Sequence, residues 1–124
     1  MKTHTLKFFL PSIFIALFIA YGSLTSGDNP QVMKLFQIEI PDKLIHGFFY
    51  FLLSLSIFYP IARFRENINF SILAALILIF LYGVLIEIIQ YLLIEGRSGD
   101  VYDVLANAAG IFIAVVAVKL YKKY

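Results

Sequence analysis

The feature that most constrains the fold is the apolar run from Ile68 to Ile94, in which Glu87 is the only charged residue. A helix needs roughly 20 predominantly apolar residues to cross the hydrocarbon core of a bilayer. The run exceeds that length, so it predicts a transmembrane helix. A carboxylate inside such a helix is costly, and Glu87 therefore needs a specific explanation.

Three further apolar segments accompany this run. They are Phe8–Leu24, Leu44–Ala62 and Val104–Val118, the last of which reaches spanning length when it is extended to Val101–Leu120. The chain is 61% hydrophobic and 15% charged, whereas soluble domains are about 45–50% apolar and about 25% charged. We therefore predict an all-α membrane protein: a four-transmembrane-helix bundle forming one domain over residues 1–124, with helices at about 7–24, 44–62, 69–94 and 101–120.

The first apolar segment has a second interpretation, a cleaved signal peptide, because Lys2 and Lys7 precede it. The only small-residue pair at its end, Ala20-x-Gly22, matches the usual A-x-A cleavage pattern poorly. Retention as a transmembrane helix is therefore the favoured interpretation. The chain has no cysteine, which excludes disulfides and thiolate metal ligands.

The distribution of positive charge predicts the orientation. Lys and Arg favour the cytoplasmic flanks of transmembrane helices. With the N-terminus inside, seven of the 10 Lys and Arg residues fall on cytoplasmic flanks, and the other three are Lys34, Lys43 and Arg97. We therefore expect a multi-pass membrane protein with both termini in the cytoplasm.

Only the connection Thr25–Lys43 is long. Asp28-Asn29-Pro30 is a turn signal. The apolar residues Phe36, Ile38 and Ile40 then alternate with Gln37 and Glu39, and Pro41 ends the pattern. Alternation of this kind favours an extended segment, which could lie along the outer headgroup region. A partly ordered loop is the alternative.

Polar residues collect at one end of the predicted bundle, as one stripe on each of three helices. The stripes are Asp42, His46 and Tyr50 on the second helix, Gly83, Glu87 and Gln90 on the third, and Asp100, Asp103, Asn107 and Gly110 on the fourth. Residues three or four apart share a helix face. At about 1.5 Å per residue the three stripes reach a similar depth, near the outer edge of the bilayer core. We expect them to converge.

Glu87 is the deepest acid of this set. An acid at the centre of a membrane helix costs about 2.5–3.5 kcal/mol, and less toward the edge. We therefore expect Glu87 to face the bundle and to pair with Arg97, Lys43 or His46, or to be protonated. A lipid-facing Glu87 is the disfavoured case.

Most of these residues also have a structural interpretation. Asp100 and Asp103 could cap a helix N-terminus, and Asn107 and Gln90 could join helices by hydrogen bonds. Arg97 could be a solvated loop charge. Beside a helix N-terminus it is also suited to bind an anion.

The three polar motifs resemble those of the VanZ-like family of small bacterial membrane proteins. The segments are "DKLIHGFFYF" (Asp42–Phe51), "IEIIQ" (Ile86–Gln90) and "GRSGDVYDVLANAAG" (Gly96–Gly110). The family pattern runs D-K-x-x-H-x-x-x-Y, then E-x-x-Q, then R followed by D-x-x-x-N-x-x-G. The matching positions are Asp42, Lys43, His46, Tyr50, Glu87, Gln90, Arg97, Asp103, Asn107 and Gly110. The first helix carries no signature.

The resemblance implies a location in the bacterial inner (cytoplasmic) membrane. It also implies a link to low-level resistance to the glycopeptide antibiotic teicoplanin, or a more general role in the cell envelope. One departure is visible, because many family members have serine where this chain has Asp100. Ser98 is close by. The additional negative charge makes a purely anionic ligand less favourable there.

Two functions are compatible with these residues. The first is binding of a cell-wall precursor, a lipid headgroup or a glycopeptide at the outer leaflet. Its candidate ligand-binding residues are Asp42, Lys43, His46, Tyr50, Glu87, Gln90, Arg97, Asp103 and Asn107. The second is an enzyme of the membrane interface, with His46 and Glu87 as the acid and base.

The sequence predicts no cofactor and no resident metal. A metal-dependent form of the enzyme would use His46, Glu87 and Asp103 around an oxygen-preferring ion. Transport through four helices would require a homo-oligomer. Nucleic-acid binding has no support, because the basic residues flank the predicted helices. Membrane lipids are the expected surroundings and partners.

Overall fold

The computed structural model describes residues 3–24, 42–93 and 101–123, and nearly all of them are helical. A short helix α1 (Thr3–Leu6) and a 3₁₀ turn (Lys7–Phe9) lead into α2 (Leu10–Leu24). The long helices α3 (Asp42–Phe64), α4 (Ile68–Leu93) and α5 (Val101–Lys123) follow. The connection Thr25–Lys43, within which the sequence predicts an extended segment, lies outside the described residues apart from its last two positions.

Four helical stretches are long and apolar enough to cross a membrane. They are His4–Leu24, Lys43–Phe64, Ile68–Leu93 and Val101–Lys123. Large apolar side chains remain exposed along all of them, among them Phe14, Leu78, Tyr91 and Phe112, as expected where lipid replaces water around a bundle. The prediction of an all-α, multi-pass membrane protein with four spans is confirmed for the described residues.

Contacts at both ends of the bundle fix the directions of α3, α4 and α5. His46 of α3 lies beside Asp103 of α5, and at the opposite end the rings of Tyr59 and Tyr121 are 5.5 Å apart. The helices α3 and α5 are therefore parallel. His46 also lies beside Glu87 near the end of α4, so α4 is antiparallel to both.

The closest packing in the bundle is between α3 and α5. A Cβ atom built on Gly110 would overlap the carbonyl oxygen of Gly47 and would lie 3.0 Å from the amide nitrogen of Phe51. A Cβ on Gly47 would lie 3.3 Å from the carbonyl oxygen of Ala106. Small residues on both helices thus allow backbone-to-backbone contact, which is a common way for membrane helices to associate.

The first membrane helix lies on one side of this three-helix unit. Its Phe8 and Phe18 rings contact Phe64 and Phe49 of α3, with centroids 5.0 Å and 5.3 Å apart. Two hydrogen bonds connect α2 to α4: Tyr82 donates its hydroxyl to the Ala16 carbonyl at 2.5 Å, and Gln90 donates its amide to the Ser23 carbonyl at 2.6 Å. Most of this span is not buried against the other helices.

The sidedness of the bundle remains a prediction that single cysteines can test in this cysteine-free chain. We expect Lys2→Cys to react from the cytoplasmic side and Ser98→Cys to react from the outside, because most Lys and Arg residues flank the opposite end. Labelling with a membrane-impermeant maleimide in intact cells and in inverted vesicles measures this. Reaction of position 98 from the cytoplasm would reverse the orientation.

Candidate functional site

The candidate site lies at the end of the bundle where α3 begins, α4 ends and α5 begins. His46 stands between two carboxylates contributed by different helices. Its Nδ1 is 4.0 Å from Glu87 Oε1, and its Nε2 is 3.9 Å from Asp103 Oδ2. The expected approach of Glu87 to His46 is therefore present, and Glu87 faces the bundle with its side chain 7% exposed.

Lys43 lies at the exposed margin of this group of charged side chains. Its Nζ is 3.6 Å from Asp103 Oδ1 and 5.9 Å from the centre of the Tyr102 ring. The Lys43 side chain is 49% exposed, whereas that of Asp103 is 13% exposed. A half-exposed ion pair contributes little to stability because solvent screens it. Lys43 is thus suited to meet a ligand at the margin of the site.

A second layer of polar groups lies one helical turn deeper. It consists of Tyr50, Gly83 and Asn107, each four residues from His46, Glu87 and Asp103 respectively. A Cβ on Gly83 would be 3.1 Å from Tyr50 Cε1 and 3.2 Å from Asn107 Nδ2. Gly83 therefore makes the space that the Tyr50 ring and the Asn107 amide occupy between the helices.

Several polar atoms of these layers have no hydrogen-bond partner among the described residues. They include the Tyr50 hydroxyl, Asp103 Oδ1, Asn107 Oδ1 and the hydroxyl of Ser54. Tyr50 and Asn107 are 2% exposed, and Ser54 is fully buried. A buried polar group without a partner costs about 1–3 kcal/mol, and native structures contain few of them. Such atoms, clustered at one place, indicate a site that a ligand could complete.

Sequence reasoning missed two residues of this region. Ser54 continues the α3 stripe one turn beyond Tyr50, at the same spacing of four, and extending the stripe would have found it. Gly47, in close contact with Gly110, lies beside His46. The pattern Ala106-x-x-x-Gly110 on α5 is a small-xxx-small signal for close helix packing, and it could have indicated that a glycine would oppose it.

Not all of the predicted residues lie in this group. The Gln90 amide is bonded to Ser23 of α2, which agrees with the interpretation of Gln90 as a residue that joins helices. Arg97, Asp100, Gly96 and Gly99 lie outside the described residues. Asp42 begins α3, and its side chain also lies outside the described part.

The sequence matches a known family over nearly the whole chain. The family model described as VanZ/LLP1 matches residues 5–122. The chain belongs to the VanZ-like family. No curated protein and no solved structure matches this VanZ-like chain. The resemblance seen in the three motifs is therefore confirmed, and the match also includes the first membrane helix.

Removal of the Tyr50 hydroxyl tests whether this group contributes to the stability of the bundle. Because it is buried without a hydrogen-bond partner among the described residues, Tyr50→Phe should leave thermal stability in detergent unchanged or raise it by up to about 1 kcal/mol. Tyr59→Phe at the opposite end, where the ring is exposed, is the control. A clear fall in the unfolding temperature of Tyr50→Phe alone would mean that the hydroxyl has a structural partner.

Proposed function

We propose that this VanZ-like protein binds the polar headgroup of a cell-envelope molecule at the outer face of the membrane. The observation that supports this most directly is the convergence of His46, Glu87 and Asp103 from three helices in a chain that is otherwise strongly apolar. Ionisable groups inside a membrane bundle are expensive, and they usually mark a functional site.

The chemistry of the site suits a ligand that carries both charge and hydroxyl or amide groups. Lys43 and Arg97 would take an anionic group such as a phosphate. The helices α3 and α5 both begin at this end, and the positive ends of their dipoles favour an anion as well. The Tyr50 hydroxyl, which has no hydrogen-bond partner among the described residues, would bind hydroxyls and amides.

These requirements are met by a phospholipid headgroup, a lipid-linked cell-wall precursor and a glycopeptide. The charge distribution along the chain supports an outward-facing site in the bacterial inner membrane. A ligand of the outer leaflet would also agree with the teicoplanin link that membership of the family implies. If a glycopeptide and a wall precursor competed for this site, precursor binding and teicoplanin resistance would have a common basis.

An enzyme of the membrane interface is the second candidate. His46 lies about 4 Å from a carboxylate on either side. A histidine oriented by a carboxylate is a common acid–base arrangement. In that case His46 and Glu87 would act on a lipid-linked envelope substrate.

The test is to identify what copurifies with the protein when it is extracted in native membrane discs. His46→Gln, Glu87→Gln and Asp103→Asn remove charge at nearly constant volume. His4→Gln and Glu66→Gln are matched controls, because both residues are exposed and Glu66 lies between α3 and α4 at the opposite end of the bundle. We expect the site variants, and not the controls, to lose an enriched lipid-linked species that mass spectrometry detects.

The two candidate functions, binding and catalysis, predict different lipid profiles for the site variants. A binding protein should lose its enriched species in each of the site variants, by amounts that follow the loss of affinity. An enzyme should retain unconverted substrate in His46→Gln and Glu87→Gln while product disappears. Identical lipid profiles for the wild type, the site variants and the controls would contradict the proposed site.

A further inference from the structure

The side chains of His46, Glu87 and Asp103 have the composition and spacing of a metal-binding group. One donor atom from each of the three residues lies within 4.8 Å of the other two. The donors come from α3, α4 and α5, and their side chains are only 12%, 7% and 13% exposed. Three converging donors from separate helices form a common design for metal sites in helical bundles.

Asn107 gives an independent indication of a cation. It is 2% exposed, it lies one turn from Asp103 on the same face of α5, and its amide nitrogen occupies the space beside Gly83, one turn from Glu87. Its Oδ1 is buried without a hydrogen-bond partner among the described residues, and Asp103 Oδ1 is buried with the Lys43 ammonium 3.6 Å away, beyond hydrogen-bond distance. Both atoms can only accept, so a cation or a donor from a ligand would satisfy them.

Charge favours a cation over a neutral donor. Two largely buried carboxylates lie about 4 Å from one imidazole, and the half-exposed Lys43 lies 3.6 Å from Asp103. Carboxylates taken out of water need a nearby positive charge to offset the loss of hydration. A divalent ion bound by both carboxylates and by one imidazole nitrogen would supply such a charge.

We propose that His46, Glu87 and Asp103 bind a divalent first-row metal ion, Mn²⁺ or Zn²⁺, with Asn107 Oδ1 as a further oxygen donor. The imidazole favours such ions over Mg²⁺ and Ca²⁺, which prefer ligand sets made only of oxygen. Metal–ligand bonds of about 2.0–2.2 Å place tetrahedral donors about 3.4 Å apart. The distances between donor atoms, now at most 4.8 Å, would have to shorten by up to about 1.4 Å. Rotation of the side chains can provide this.

This inference rests on the proposed function, because the ion would lie in the same site and would present its positive charge to the phosphate of a headgroup. The protein would then bind its ligand through the metal, with Lys43 beside it. Metal binding itself requires no ligand, so the two proposals can be tested separately.

The test is a metal-binding measurement on the full chain in detergent. After treatment with EDTA and dialysis, we expect the wild type to take up Mn²⁺ or Zn²⁺ stoichiometrically in the presence of excess Mg²⁺, as measured by mass spectrometry of the metal content. His46→Gln, Glu87→Gln and Asp103→Asn should each weaken binding by about tenfold or more. His4→Gln and Glu66→Gln should bind like the wild type.

A spectroscopic measurement distinguishes the loss of a metal ligand from the misfolding of a variant. Bound Mn²⁺ should show a ¹⁴N coupling from the His46 imidazole in pulsed electron paramagnetic resonance of the wild type. The coupling should be absent in His46→Gln and present in His4→Gln. Failure of the wild type to bind any of the ions, or binding that the three site substitutions leave unchanged, would overturn the metal site.

Measurement of copurified lipids with and without EDTA separates the two proposals. If a lipid headgroup is still enriched after complete removal of metal, the protein does not bind that headgroup through a metal ion. The proposed function would then remain supported. Stoichiometric Mn²⁺ binding without any enriched lipid would support the metal site and contradict the proposed function. Enrichment that disappears with EDTA and returns with Mn²⁺ supports both.

Discussion

Replacing Gly110 with alanine should destabilise the bundle by about 1–3 kcal/mol, the usual cost of overpacking. The added methyl group would overlap the carbonyl oxygen of Gly47, and it would also press on the backbone at Phe51. Backbone atoms of a packed helix cannot rotate away as a side chain can. The helices α3 and α5 must therefore separate, and His46 would move away from Asp103.

Gly22→Ala is the matched control for this substitution. A Cβ at Gly22 would have no neighbour within 4 Å, and alanine favours a helix over glycine by about 0.8–1.0 kcal/mol. We therefore expect Gly22→Ala to be neutral or slightly stabilising. Thermal unfolding of both variants in the same detergent measures the difference. Equal unfolding temperatures would show that α3 and α5 are not in backbone contact at Gly110.

The combined variant Tyr82→Phe/Gln90→Met should loosen the first membrane helix. It removes the hydrogen bonds from α4 to the carbonyls of Ala16 and Ser23 while it keeps the size of both side chains nearly constant. Lipid tails are as apolar as the helix surface, so apolar burial holds membrane helices together less strongly than it does in water. Hydrogen bonds between membrane helices contribute about 0.6 kcal/mol on average and up to about 2 kcal/mol.

We expect the two substitutions together to cost about 1–3 kcal/mol, since the Gln90 amide is buried. Limited proteolysis should release the N-terminal segment from the variant faster than from the wild type. The control is Tyr91→Phe, which removes a hydroxyl from an exposed ring of α4. Equal cleavage rates for the wild type and both variants would show that the two bonds do not hold α2.

The four membrane helices could be predicted from sequence because each depends on a local property, the length of an apolar run. The predicted ranges and the observed helices agree closely, although α3 continues through Pro60 to Phe64 and α5 continues to Lys123. Positive charges beyond the apolar part do not end a helix, since its backbone hydrogen bonds continue at the membrane surface. Apolarity alone therefore underestimates helix length.

The candidate site was partly predictable, because a spacing of four keeps side chains on one face. His46 and Tyr50, and likewise Asp103 and Asn107, are indeed found in successive layers. The spacing of three between Glu87 and Gln90 is the informative exception. At about 100° per residue it rotates Gln90 by about 60° relative to Glu87, enough for Gln90 to reach α2. The spacing of residues along α4 does not show which helix lies at that angle. The neighbouring helix is determined by how the helices pack.

The close contact at Gly110 was the least predictable feature. The glycine belongs to the family pattern, but one sequence does not show which backbone it faces. The opposing Gly47 lies between His46 and a run of aromatic residues, where nothing local distinguishes a packing glycine from an incidental one. Close approach depends on two helices meeting at one level, which follows from tertiary structure.

The attachment of the first helix has a consequence for how such chains can diverge. Both hydrogen bonds from α4 end on main-chain carbonyls of α2, and every residue type supplies a carbonyl at those positions. Mutations can therefore accumulate along much of α2 while these two bonds persist, provided that the segment stays helical and apolar and keeps the aromatic contact of Phe18. In α3, α4 and α5 the contacts depend on particular side chains and on glycine, so drift there is constrained. We expect relatives to be alike over the last three helices and to differ freely in the first.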